Sequence, residues 1–166
     1  CVGGKLAIDF NQFKNQIGLF SIPDKVFINT KFLETLPAKQ LHNGMVEHLK
    51  HLILFKQNEL NYFYNTFNSP DLKKVIYESI CLKNSVVNSD FNDLANRKWL
   101  NFGHTFGHAF ETFLMNGNTP VLHGEAVVAG IVCEAWIAKK RGTVSTDFFN
   151  SLKDFFVNNY TKININ

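Results

Sequence analysis

Cysteine is scarce. The 166 residues hold three, Cys1, Cys81 and Cys133, far apart in the chain and with no Cys-x-x-Cys among them. Neither a disulfide framework nor a thiolate zinc site is indicated, and reduced thiols of a cytosolic protein are the expectation. Long apolar runs are missing as well. The most apolar stretch, Ala126 to Ala138, contains Glu134 and is bracketed by Glu125 and Lys139. It reads as a buried helix, not a membrane span, and no signal-peptide pattern is visible. Blocks of one charge are also lacking. The 17 Lys and Arg against 14 Asp and Glu give +3, spread along the chain. That balance does not indicate nucleic acid and favours local anion sites. Internal repeats and low-complexity linkers are absent. There is no initiator Met. The chain opens at Cys1 in mid-motif, so a piece of a longer protein is expected.

What is present is a 45% apolar composition with 17 Phe, enough for one sizeable core. Everything is organised around Leu100-Asn101-Phe102-Gly103-His104-Thr105-Phe106-Gly107-His108-Ala109-Phe110-Glu111. On a helix, His104 and His108 lie one turn apart on one face, and a glycine before each lets another segment come close. A third histidine follows in His123-Gly124-Glu125. Three histidines around one short connection point to a metal site.

The rest of the chain reads as mainly α-helical. Val2-Gly3-Gly4-Lys5 is a glycine turn and Phe13 to Gly18 a polar loop. Lys25-Val26-Phe27-Ile28-Asn29, a short apolar run between turn residues, predicts a buried strand. Lys31 to Leu36 is a helical turn. Pro37 opens a helix to about Phe55 whose stripe is Leu41, Met45, Leu49 and Leu52. Ser69-Pro70-Asp71 predicts a helix start with Ser69 as cap. Leu72, Val75, Ile76, Ile80, Val86 and Val87 would form that helix's core face. Asp90 to Asn96 is a polar connection. One helix from about Arg97 to Leu114 is expected to carry both histidines, followed by a loop over 115–120. Further helices run from Gly124 to Lys140, with Gly142 as stop, and from Ser145 to Val157.

Catalytic zinc commonly takes three protein ligands and leaves one position open. His104 and His123 are nitrogen donors. Glu47 is a candidate third ligand because it lies mid-helix beside apolar positions, where a cation would offset the cost of a buried carboxylate. Glu111 and Glu125 are rivals by spacing. The three donors are expected to converge on one point. Lys5, Lys50, Lys83 and Arg97 can bind an anionic substrate, although each alone reads more readily as a surface charge. Asn101 shares the His104 side of the motif, and His108, if not a ligand, can move protons.

The motif Leu100 to Ala109 together with His123-Gly124-Glu125-Ala126-Val127 resembles the 3-dehydroquinate synthase family of sugar-phosphate cyclases. Val2-Gly3-Gly4-Lys5 resembles that family's Gly-Gly-Lys loop, and Lys14-Asn15-Gln16-Ile17-Gly18 its Lys-Asn-x-Ile-Gly segment. Phe32-Leu33-Glu34-Thr35-Leu36-Pro37 and Gly44-Met45-Val46-Glu47-His48-Leu49-Lys50 also align, in order and spacing, over roughly residues 1–142. The resemblance implies a mainly α fold: a helical metal- and substrate-binding domain over 31–166, C-terminally incomplete, after the end of a nucleotide-binding domain over 1–30. It implies Glu47, His104 and His123 as ligands of zinc or cobalt. Lys5, Asn15, Lys50, Lys83, Arg97, Asn101 and His108 would surround a phosphorylated seven-carbon keto acid. Lys14, Phe32, Leu33, Glu34, Thr35 and Asn43 would face NAD, and Lys5, His108 and Asp93 would be catalytic.

The implied reaction converts 3-deoxy-D-arabino-heptulosonate 7-phosphate to 3-dehydroquinate and phosphate, with NAD regenerated in each cycle. No nucleic-acid or membrane partner is implied, and a homodimer of the full-length protein is compatible with it. The chain alone is expected to bind NAD weakly and to be inactive. Departures from the family pattern are His48, His51 and Leu52 in the Glu47 segment, Asp93 in place of a usual Glu, and Ala95 in place of Gly. The alternatives are a related sugar-phosphate cyclase, a metal-dependent polyol dehydrogenase, or a non-catalytic helical metal-binding module.

Overall fold

Six helices follow one β-hairpin in the computed structural model, which describes residues 2–11, 13–115, 121–161 and 163; the side chains of Asp9, Phe13, Lys14, Asn15 and Met115 fall outside that description. The strands are β1 (Lys5–Phe10) and β2 (Phe13–Phe20). The helices are α1 (Ala38–Phe55), α2 (Leu60–Thr66), α3 (Leu72–Ser89), α4 (His104–Met115), α5 (His123–Lys140) and α6 (Thr146–Asn159). Two compact units are interleaved along the chain. One holds residues 1–35 and 71–98, the other 36–70 and 99–166. The mainly α reading holds.

In the second unit α1 buries Met45, Leu49 and Leu52 of the expected stripe and half-buries Leu41. Met45, Val46, Leu49, Leu52 and Ile53 recur at three-to-four spacing and are all nearly inaccessible. They join Val127, Val128, Ile131 and Ala135 of α5, Phe149, Leu152, Phe155 and Phe156 of α6, and Leu60 and Phe63 of α2 in one core. Each such side chain contributes on the order of 1.5–3 kcal/mol by leaving water. The aromatic count is spent here: Tyr64 stacks on Phe155 at 4.4 Å between ring centroids, and Phe67 meets Phe155 edge-on at 5.0 Å.

The expected single helix from Arg97 to Leu114 is two elements. A 3-10 turn spans Asn96–Asn101, and α4 starts only at His104. Gly103 between them adopts φ +78°, which ends one helical segment and starts another. A side-chain carbon at Gly103 would also fall 2.4 Å from Cγ1 of Ile131, and one at Gly130 would fall 1.9 Å from the Gly103 carbonyl oxygen. Glycine on both sides is what lets α4 and α5 touch backbone to backbone, and it places His104 and His123 each at the first position of its helix.

The first unit corrects several expectations. Lys25–Asn29 is not a strand, and Phe27 within it is 90% exposed. Apolarity alone does not make a strand; a neighbour must complete its hydrogen bonds. The segment Phe13–Gly18, expected as a polar loop, is instead most of β2. It pairs antiparallel with β1 (Leu6 opposite Leu19, Ile8 opposite Ile17), and the connection turns at Asn11, φ +48°. In α3 the N-cap is Asp71, whose carboxylate accepts from the Lys74 N–H, and not Ser69. Of the residues expected on its core face, Val86 and Val87 are buried; Leu72, Val75, Ile76 and Ile80 are half-buried. In the second unit Pro37 precedes α1 as its cap residue, not its first helical residue, and α2 had no counterpart in the sequence reading. The α6 start agrees, with Ser145 accepting from the Phe148 N–H. The expected loop over 116–120 lies outside the described residues.

Candidate metal centre

α1, α4 and α5 bring Glu47, His104 and His123 together. Their donor atoms all lie within 4.8 Å of one another. Glu47 Oε1 is 3.4 Å from His104 Nε2, and it is a buried oxygen that accepts no hydrogen bond. Its other oxygen, Oε2, accepts from Lys50 Nζ at 2.7 Å. Lys50 is 2% exposed, which makes its paired geometry obligatory. Burial by itself would push the Glu47 carboxyl up. His104 and Lys50 outweigh it and hold the group well below the usual carboxylate range.

The ring nitrogens are sorted by their partners. His104 Nδ1 sits 3.2 Å from the Phe102 carbonyl oxygen, which the turn at Gly103 presents, so Nδ1 carries a proton and the ring is oriented with Nε2 facing Glu47. His123 Nδ1 lies 3.0 Å from Glu111 Oε1. His108, half-buried on α4, has its ring centroid 5.5 Å from that of His104 and 6.1 Å from that of His123. Two ligands each about 2.0–2.1 Å from a tetrahedral zinc lie about 3.3 Å apart. The Glu47–His104 spacing matches, and the unsatisfied oxygen is the donor that a cation would occupy. The residues present fit a divalent metal.

The two rivals for the third position have other work. Glu125 closes the start of α5: its Oε2 accepts from the Leu122 N–H at 3.0 Å, and Oε1 pairs with Lys39 Nζ at 3.0 Å. Glu111 holds His123, and with His108 and His123 it forms a second group within metal-ligand reach. Sequence reading weighed Glu111 only as a ligand. Its position seven residues after His104, on the same helix face, carries the signal for a role beside the histidines. Asn43 is engaged as well. Its Oδ1 accepts from the Glu125 N–H at 3.0 Å, fastening α5 to α1. Asn101 ends the 3-10 turn and is exposed.

Within the first unit, Lys5, Lys83, Asp93 and Arg97 gather round the Gly3-Gly4 turn. Lys5 Nζ pairs with Asp93 Oδ2 at 2.5 Å. Arg97 is 3% exposed and donates to the carbonyls of Gly3 and, at 2.7 Å, Phe91, with its guanidinium over the Phe20 ring. Gly3 has φ +103°, and a side-chain carbon there would meet Arg97 Nη2 at 3.1 Å and Lys83 Cε at 3.3 Å. Asp90, which sequence reading passed over, anchors the loop: its carboxylate accepts from the backbone N–H groups of Leu94, Ala95 and Arg97. Those bonds, Arg97's foremost, hold its carboxyl below the ordinary value. Asp93 itself sits at φ +59°, an unusual backbone for a non-glycine residue. Phe32, Glu34 and Thr35 are exposed and Leu33 half-buried, at and just after a 3-10 turn over Thr30–Leu33. Lys14 and Asn15 belong to β2, and their side chains lie outside the described residues.

Many known proteins are similar to this chain in sequence and fold. Among solved structures, 2-epi-5-epi-valiolone synthase from Streptomyces hygroscopicus subsp. jinggangensis, with NAD+ and Zn2+ bound, superposes with a TM-score of 0.84 at 22% identity, over 94% of this chain and 45% of its own. 2-Deoxy-scyllo-inosose synthase, complexed with carbaglucose-6-phosphate, NAD+ and Co2+, gives 0.81 at 25% identity, over 94% and 44%. In sequence, the 3-dehydroquinate synthase of Parabacteroides distasonis is 39% identical over 150 residues, 84% of this chain and 40% of that protein. The pentafunctional AROM polypeptide of Scheffersomyces stipitis is 42% identical over 161 residues, 87% of this chain and 10% of that one. The chain thus spans less than half the length of these relatives. The family model described as 3-dehydroquinate synthase N-terminal matches residues 1–43, and that described as 3-dehydroquinate synthase C-terminal matches residues 44–166. With both models met end to end and the histidine-bearing helices inside the longer match, the chain belongs to the 3-dehydroquinate synthase family.

Proposed function

We propose that this chain supplies the metal- and substrate-binding part of an enzyme that converts 3-deoxy-D-arabino-heptulosonate 7-phosphate to 3-dehydroquinate and phosphate. One observation carries the reading: the buried Oε1 of Glu47, which accepts no hydrogen bond, at tetrahedral-ligand distance from His104 Nε2. Glu47, His104 and His123 would hold zinc or cobalt, the metals bound in the solved relatives. The bound metal and NAD would supply polarisation and transient oxidation of one substrate hydroxyl.

The chain's own residues do the rest. Lys50 fixes the Glu47 carboxylate and, with Asn101 and His108, would line the substrate side of the helical unit. His108 is placed next to the ligand histidines and would take or return a proton at its ring nitrogen. In the other unit Lys5, Lys83 and Arg97, with Asn15, would meet the phosphate and carboxylate of the substrate. Lys5 is held meanwhile by Asp93, which stands where a proton acceptor is expected. Lys14, the segment 32–35 and Asn43 would face NAD. No helix among the described residues is long and apolar enough to cross a membrane.

The test is phosphate release from the heptulosonate phosphate by the full-length protein, with metal content measured in parallel. E47Q and H104A are expected to lose zinc and turnover together. H108A is expected to keep one zinc per chain and lose at least 100-fold in kcat, on the scale of a lost general acid–base group. Loss of zinc in H108A would refute the proton-transfer role of His108, and turnover of a non-carboxylated sugar phosphate in preference to the keto acid would refute the substrate assignment in favour of a related cyclase.

A further inference from the structure

We propose that Glu111 is the positioning residue of this centre: its carboxylate fixes His123 in the tautomer with the proton on Nδ1 and reserves Nε2 for the metal. The inference rests on the reading of Glu47, His104 and His123 as ligands. Glu111 is 7% exposed, and a carboxylate so buried needs a partner. One partner is His123 Nδ1 at 3.0 Å. A carboxylate oxygen only accepts, so the proton of that bond belongs to the ring. The other ligand histidine is arranged the same way by different means, His104 Nδ1 facing the Phe102 carbonyl. The two differ in their need. The His104 side chain is 17% exposed and walled in, whereas that of His123 is 51% exposed and has little packing to fix its ring. A carboxylate behind a half-exposed ligand therefore does more than one behind a buried ligand.

The placement follows from the helix. Glu111 is two turns beyond His104 and one beyond His108 on α4. The same helix face supplies a ligand at its start and the support for a ligand from α5. The competing use of Glu111, as a ligand with His108 and His123 for a second ion, requires His123 to give up its Nδ1 proton. If both groups were filled, one imidazole would have to coordinate through both nitrogens. The hydrogen bond to a carboxylate opposes this.

The experiment uses the full-length protein. Zinc affinity is measured by competition with a chromophoric chelator, stoichiometry by elemental analysis, and ligand geometry by the visible spectrum of the cobalt-loaded protein. E111A is expected to bind zinc about 10- to 100-fold more weakly. E111Q, whose amide oxygen can still accept from Nδ1, is expected to stay within a few-fold of the unsubstituted protein and to keep its cobalt spectrum and metal-free melting temperature. Unchanged affinity in E111A, or a loss in E111Q as large as that in E111A, would overturn the proposal. So would two zinc ions per chain, one of them lost in E111A, since Glu111 would then be a ligand itself. E47Q separates the two levels. If it keeps zinc, the underlying metal site is wrong; if it loses zinc while E111A does not, only the role of Glu111 fails.

Discussion

The α4–α5 pair and the β1–β2 hairpin are both built from neighbouring elements, yet they treat apolar residues in opposite ways. Val127 and Ile131 on α5 are wholly inaccessible. On the hairpin Leu6, Ile8, Ile17 and Leu19, paired across the strands, are 53% to 62% exposed. Backbone satisfaction and side-chain burial are separate achievements. The hairpin completes its ladder by itself but, with two strands, cannot enclose a core. The helix pair is backed by α1 and α6, so its inward face has somewhere to go. A candidate centre whose three donors come from three different helices needs the second kind of support.

The comparison breaks first at the glycines. G130A would put a methyl carbon 1.9 Å from the Gly103 oxygen and must part α4 from α5. A loss of about 3 kcal/mol or more in denaturant unfolding, with loss of the zinc site, is expected. Gly44, mid-helix in α1 with nothing within 4 Å of an added carbon, should respond with the opposite sign. G44A is expected to stabilise by about 0.5–1 kcal/mol, read from the shift in urea midpoint.

A pH axis sharpens the contrast on the helical side. Burial raises the Tyr64 hydroxyl to about 12 from 10.0, against a smaller downward pull from Ser151. The folded state then holds a proton that the unfolded chain releases, so stability is intact below pH 10 and falls as pH rises from about 10 to 12. The slope is at most about 1.4 kcal/mol per pH unit for one proton. Y64F should flatten this part of the unfolding profile. The smallest expected change lies on the hairpin. I8S with I17S should alter the unfolding free energy of the helical unit by less than about 0.5 kcal/mol while reducing aggregation followed by light scattering.

The same contrast decides what the sequence made legible. Met45, Leu49 and Leu52 recur at helical spacing because they face the apolar core, so that part of the pattern records packing, whereas the burial of His48, Lys50 and His51 between them left no apolar signal to read. His104 and His123 were legible for a related reason: Gly103, Gly107 and Gly124 mark where backbones meet. Glu47 could be proposed but not chosen over Glu111 and Glu125, because the choice depends on how α1 lies against α5, which spacing within any one helix does not encode. The break at Gly103 was hidden, since one glycine inside an apolar helical pattern is ordinary. The hairpin was missed and Lys25–Asn29 mistaken for a strand for one reason. Where no face is buried, apolarity stops tracking secondary structure, and Asn11 is a weak turn signal by itself.

The interleaving of the two units also sets an order of events on the ribosome. α1, with Glu47 and its apolar stripe, is synthesised well before α5, and residues 71–98 of the other unit are made in between. At ~5–20 residues per second, that delay is on the order of ten seconds. Throughout it Met45, Val46, Leu49 and Leu52 have no Val127 or Ile131 to pack against. Until α5 follows, only α2, through Leu60 and Phe63, is there to cover that hydrophobic ridge, and the uncovered part invites holdase binding. The candidate ligand set also matures from one end: Glu47 first, His104 next, His123 last. Metal capture by this set would be a late step of biogenesis, and a chain stalled between α4 and α5 would present two donors and no cage.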